Sequence, residues 1–306
     1  MEGVLMNPKF RSAIRSFRLR TLPLSLAGGI LGAMLASSEF KVSVIVIVFL
    51  LLTTIFLQIL SNLSNELGDV LNGTDTPDRQ GPEYGIAEGG LSVNDMKRLI
   101  SVIATLCALS GCAMIWTSFG TLFSLRSAGL LVLGALAIIA AMRYTLGPSQ
   151  YGYKGLGDIA VFIFFGLVSV LGGFYVCAHT ISSSLLALPA AAVGLFSVGV
   201  LNVNNIRDMK TDSANRVTVA IRLGLRGSRI YQTVLIAAGW ILLVVFAALY
   251  KPSPWHFLFL AVLPLHFIHL KGIWTKTDRA LDPMLPLLVM STFILCLILG
   301  LSLMLI

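Results

Sequence analysis

The sequence predicts an all-α integral membrane protein with about nine transmembrane helices and a cytoplasmic N-terminus. Three observations carry that prediction. Over 306 residues, 57% are hydrophobic and only 12% are charged, which excludes a soluble domain. Uncharged runs recur along the chain, and a crossing needs about 20 apolar residues. Charge alternates between connections: with the N-terminus inside, nineteen of the 22 basic residues fall on inner segments, leaving Lys41, Arg126 and Lys251 outside. That bias is what the positive-inside rule expects. Of the fourteen acids, only Glu39 is placed outside.

The spans are expected at roughly 21–38, 42–66, 97–117, 121–143, 157–177, 183–206, 229–250, 253–271 and 284–305. No soluble domain is expected beside them, so 1–306 reads as a single transmembrane domain. The start, MEGVLMNPKFRSAIRSFRLR, is basic and lacks a short apolar core with a cleavage site, so the first span is expected to act as the insertion signal. The net charge of +8 suggests contact with anionic lipid and no nucleic-acid partner, because the basic residues are loop-bound and no aromatic platform is interleaved with them.

The first span contains Gly28, Gly29 and Gly32, which make it pliable and suit close helix contact. The second runs without charge from Val42 to Leu60 and then into NLSNELGDVLNGTDTPDR. If the helix continues, Asn62, Asn65, Glu66 and Asp69 share one face at i, i+3, i+4 and i+7. Gly73 and Pro77 end it, and Asp75 and Asp78 fall on the following loop. Oxygen ligands gathered without an equal number of cations favour Mg²⁺ or Ca²⁺.

Between the fourth and fifth spans lies YTLGPSQYGYKGLGD, which holds Tyr144, Tyr151, Tyr153, Lys154 and Asp158 on the inner face. The run from Ile159 to Ile206 is again uncharged and ends in NVNNIRDMKTDSANRVTVAIR. There Asn204 and Asp208 repeat the Asn65/Asp69 spacing, and Asp212 lies one turn further. Capped polar helix ends would explain either stretch alone. The matched pair suggests an internal repeat facing one site. The four cysteines fall inside spans without ligand spacing and read as packing residues. His266 and His269 are expected at an inner interface, His179 and His256 near the outer edge.

Two Asp/Asn clusters, nearby cations and an apolar bundle need one explanation. A Mg²⁺-bridged diphosphate takes the acids through the metal and the cations directly, and the bundle takes a hydrocarbon tail. A polyprenyl diphosphate has this form, and its allylic C–O bond ionises when the departing charge is stabilised. The alternative from another class is a transporter with inverted repeats. Its ion site would lie near the midplane, whereas these acids sit at one membrane edge.

These residues resemble the UbiA superfamily of intramembrane aromatic prenyltransferases. The first cluster is similar to its N-D-x-x-D motif, and Asp208 to Asp212 to its D-x-x-x-D. LRTLPLS (19–25), LQILSNLSNELGD (57–69), GTDTPDRQGP (73–82), YGYKGLGDIAVFIFFGLVSVLGG (151–173) and LNVNNIRDMKTD (201–212) extend the likeness over the chain. The likeness is strongest to the branch that prenylates 1,4-dihydroxy-2-naphthoate in menaquinone synthesis; 4-hydroxybenzoate or homogentisate are the other acceptors. The resemblance implies nine helices around a central cavity, in a multi-pass protein of the bacterial cytoplasmic (inner) membrane. It also implies Mg²⁺-dependent transfer of a polyprenyl group with loss of diphosphate and CO₂.

Carried over, Asn65, Glu66, Asp69, Asp75, Asp208 and Asp212 would hold the metal, Asp78 belonging to the same acidic loop. Lys154 and Arg207 would contact the diphosphate and, with Asp208, carry catalysis. Asn204, Asn205, Tyr144, Tyr151, Arg216 and Arg222 would complete the substrate site. Glu66 departs from the motif's usual Asp, and SANRVTVAIRLG is one residue shorter than the usual Gly-Lys-x-Thr form.

Overall fold

The computed structural model describes residues 7–73, 84–148, 150–212 and 216–305. Among them, nine helical segments are long and apolar enough to cross a membrane. The first joins α1 (Pro8–Ser16) through a 3₁₀ turn, Leu19–Thr21, to α2 (Leu22–Ser37). Then come α3 (Val44–Leu71), α4 (Val93–Phe119) and α5 (Leu125–Arg143). The fifth span is composite: α6 (Gly157–Val161), a π-helical stretch Phe162–Gly172, and α7 (Gly173–Ala178). The sixth is α8 (Ala187–Arg207), with a short α9 (Met209–Asp212) beyond it. The last three are α10 (Val219–Leu249), α11 (Leu263–Thr275) behind a 3₁₀ stretch Pro254–Val262, and α12 (Met284–Met304).

The middle of the bundle is α2, which packs against α3, α7, the π-helical stretch and α12. Its glycines are there for approach. A Cβ on Gly32 would lie 2.2 Å from the Val170 carbonyl oxygen, so a larger residue would push the two spans apart. The pliability anticipated in this span is used as close contact, and most of α2 is buried.

Two expectations are corrected. The seventh span begins at Val219, ten residues before the sequence suggested. Thr218 caps it by accepting from the Ile221 N–H at 3.2 Å, and Gly224 (φ 66°, ψ 175°) breaks it so that Arg222 rides on a separate first turn while Arg226 opens the long segment beyond the break. Charged residues there disguised helix as loop. His266 and His269 are fully buried and not interfacial. Trp240 Nε1 donates to His266 Nδ1 at 2.9 Å, and His269 lies 3.0 Å from both Gln232 Nε2 and the Met284 carbonyl. Polar partners inside the bundle made that burial affordable. All four cysteines are free, three of them buried.

Candidate active site

Both polar clusters reach one cavity of about 380 Å³. At its polar end stand Asn65 and Asp69 from α3, Asn204, Asn205, Arg207 and Asp208 from the end of α8, Asp212 from α9, and Arg216. Its apolar length is lined by Leu50 and Leu57 of α3, Leu130 and Leu133 of α5, and the fifth span. That span contributes Ala160/Val161, Phe164/Phe165, Val168/Ser169, Gly172/Gly173 and Val176, a repeat of four residues. In an α-helix a four-residue step overshoots a turn by about 40°. A π turn, bonding i to i+5, undershoots by about as much, so the mixed helix keeps one straight stripe on the cavity.

The loop after α5 is drawn onto α3 at Gly68, where a Cβ would meet the Thr145 side chain at 2.5 Å. Thr145 Oγ1 donates to the Ser64 carbonyl at 2.8 Å and to Asn65 Oδ1 at 3.3 Å. This brings Tyr144 and Tyr151 to the cavity, edge to face at 5.3 Å. Tyr151 donates to the Ala140 carbonyl at 2.8 Å. Burial pushes both phenols up, Tyr151 to about 12 and Tyr144 further. Both are therefore hydroxyl donors at neutral pH and poor bases.

Each cavity carboxylate is held by an arginine. Arg207 forks onto Asp208, with Nε to Oδ1 at 2.9 Å and Nη2 to Oδ2 at 2.7 Å, while its Nη1 reaches Asp282 at 2.8 Å. Arg216 pairs with Asp69 of the other half and lies 3.8 Å from Asp212. Tyr153 donates to Asp69 Oδ1 at 2.8 Å, and the Arg216 guanidinium sits 4.6 Å above its ring. Arg216 thus bridges the two clusters.

Three predicted site residues lie elsewhere. Glu66 is buried but does not line the cavity; its Oε1 accepts from the Ile86 N–H at 2.8 Å and so anchors the segment before α4. The longer arm that Glu has over Asp serves that reach. Lys154 is exposed on the 3₁₀ turn Tyr151–Lys154, outside the cavity lining, and Arg222 is likewise exposed, alongside Gly155. Asp75 and Asp78 lie outside the described residues. Sequence reasoning missed Arg18, Arg20, Tyr84 and Gln58, all of which line the cavity, whereas Asn62, expected on the polar face of the first cluster, lines it too. The arginines had been counted only toward membrane orientation.

The donor set fits magnesium held partly by substrate. It is all oxygen, from Asp and Asn, and among the described residues no three His, Cys, Asp or Glu side chains converge as a closed metal cage. Mg²⁺ is ordinarily bound by one or two carboxylates plus phosphate oxygens, which is what two separated acidic walls offer.

Residues 25–297 match the UbiA prenyltransferase family. The chain belongs to that family. It is therefore a prenyltransferase and a multi-pass membrane protein, and the transporter alternative falls. It is 40% identical to the 1,4-dihydroxy-2-naphthoate octaprenyltransferase of Escherichia coli (strain K12) over 89% of this chain and 88% of that one. It is 39% identical to the enzyme of the same name from Haemophilus influenzae, over 85% of each. Its fold is similar to that of a UbiA homologue from Archaeoglobus fulgidus bound to GPP and Mg²⁺. That likeness has a TM-score of 0.65 at 15% identity and covers 96% of this chain and 100% of the other.

Proposed function

We propose that this protein transfers a polyprenyl group from polyprenyl diphosphate to 1,4-dihydroxy-2-naphthoate, releasing diphosphate and CO₂. The acceptor reading is supported by the names of relatives at 40% and 39% identity, and the donor reading by the cavity itself. The observation that carries it is the convergence of both polar clusters on one end of a cavity whose remainder is apolar. We place the polar end at the cytoplasmic face of a bacterial inner membrane, with 1–306 acting as one domain.

Asn65, Asp69, Asp208 and Asp212 would hold Mg²⁺, with Asn204 and Asn205 beside them. When bound, the metal would neutralise diphosphate charge and improve it as a leaving group. Arg207 and Arg216 turn from their carboxylates to the diphosphate oxygens, so acid and cation exchange partners as the substrate enters. The apolar stripe of the fifth span holds the allylic tail and keeps water from the carbocation. Ring electrons then form the new C–C bond, and the bonding pair of the departing carboxylate returns to the ring as CO₂ leaves. Tyr144 and Tyr151, protonated, orient the acceptor hydroxyls without removing their protons.

The test is incubation of purified protein in detergent with a labelled polyprenyl diphosphate and Mg²⁺ or EDTA. The acceptor would be dihydroxynaphthoate, 4-hydroxybenzoate or homogentisate. A prenylated, decarboxylated naphthoate that disappears with EDTA is expected; product from another acceptor alone would overturn the acceptor assignment.

A further inference from the structure

We propose that Arg18 is the docking group for the carboxylate of the aromatic acceptor. The inference deepens the reading above and rests on the acceptor being an aromatic acid.

Three observations converge on this residue. Arg18 lines the cavity together with Arg20, Thr21, Ser25, Gln58, Asn62 and Tyr84, a polar shelf built from α2, α3 and the segments that precede α2 and α4. Its guanidinium has no carboxylate partner among the described residues: the carbon lies 4.2 Å over the Tyr84 ring, while Nε and Nη2 are buried and meet no acceptor. Its backbone is left-handed at φ 50°, ψ 54°, a strained conformation for a non-glycine residue.

The rest of the shelf is already satisfied. Ser25 donates to Gln58 Oε1, Gln58 Nε2 donates to Asn62 Oδ1 at 3.0 Å, and Asn62 Nδ2 donates to the Phe17 carbonyl at 2.9 Å. Arg20 donates to the Tyr84 hydroxyl at 3.0 Å and fixes the ring beneath Arg18. The buried cavity arginine, Arg207, and the largely buried Arg216 both have acids. A half-buried cation left against an aromatic face, with two buried donors that meet no acceptor, is costly until an anion arrives. Two anionic substrates enter this cavity. Arg207 and Arg216 stand with the acids where the diphosphate belongs, which leaves Arg18 for the planar carboxylate that a guanidinium fork matches. Because that carboxylate leaves as CO₂, the product loses the handle by which its precursor was held.

The experiment uses full-length protein in detergent with EDTA, and reads thermal stabilisation by 1-hydroxy-2-naphthoate and, in parallel, by 1-naphthol, which lacks the carboxylate. Arg18→Gln is expected to weaken hydroxynaphthoate binding about tenfold to a hundredfold, the loss of one charged hydrogen-bond pair, and to leave naphthol unchanged. Arg18→Lys, which keeps the charge and loses the fork, is expected to fall between, and serves if the Gln variant does not accumulate. Hydroxynaphthoate binding equal to wild type in these variants would overturn the inference. So would weakening confined to a Mg²⁺–geranyl thiodiphosphate complex, which would assign Arg18 to the other substrate. If wild type responds to 4-hydroxybenzoate and not to the naphthoate, with the same dependence on Arg18, the carboxylate inference stands and the naphthoate assignment fails.

Discussion

The two acidic clusters look alike in sequence and are wired differently in space. At the end of α8, Asp208 is locked by its own neighbour Arg207, whose side chain is 4% exposed and also engages Asp282. At the end of α3, Asp69 has no cation on its own helix. It depends on Arg216, 147 residues away, and on the Tyr153 hydroxyl. The second cluster is compensated from within, whereas the first is compensated across the halves. The internally paired cluster therefore belongs to the framework as well as to the site, and the cross-paired one closes the site.

That contrast can be broken by mutation. Asp69→Ala and Asp208→Ala should each lower turnover on the order of a thousandfold, since on the proposed reading each removes a group that would hold the metal that stabilises the departing charge. They should differ in stability. Asp208→Ala strips a buried arginine of its forked partner and should cost about 3 kcal/mol in a denaturation assay. Asp69→Ala leaves Arg216 its Asp212 neighbour and should cost clearly less. Equal losses would erase the distinction.

Arg216→Gln sharpens it at the next level down. Turnover should fall about a hundredfold, with a raised KM for the prenyl diphosphate and an unchanged KM for the acceptor. Arg207→Gln should instead show most of its effect as lost folded protein.

A smaller effect concerns the tyrosines beside the first cluster. Burial raises the phenols of Tyr144 and Tyr151, so neither loses its proton at or below the ordinary tyrosine value near 10. The pH–rate profiles of wild type, Tyr144→Phe and Tyr151→Phe should therefore run parallel between about pH 7 and 9. A limb present in wild type and absent from either variant would make that tyrosine a base. The smallest effects belong to Lys154→Ala and Arg222→Ala, exposed residues expected to change turnover by about twofold or less.

Span number and the pairing of clusters were legible because they rest on hydropathy and on repeated Asn-x-x-x-Asp spacing, which are local properties. Asn65, Asp69, Asn204, Asp208 and Asp212 all line the cavity for that reason. The choice among cations was not legible. Lys154 and Arg216 both sit near the clusters in sequence, and only the chain path shows that Arg216 turns inward across Tyr153 while Lys154 stays outside. Glu66 fits the motif's face, yet Ile86 claims its oxygen, a contact twenty residues away that no periodicity announces. The π-helical fifth span was hidden because its residues are apolar in either helix, so hydropathy is blind to the change of pitch.

The central claim is that the two clusters form one metal–diphosphate site. Mn²⁺ electron paramagnetic resonance on the purified protein, with and without an inert prenyl thiodiphosphate, tests it directly. The account predicts an ordered Mn²⁺ signal that needs the thiodiphosphate and is lost in both Asp69→Asn and Asp208→Asn. A wild-type signal in either single variant would mean that one cluster suffices, and the shared site would be wrong.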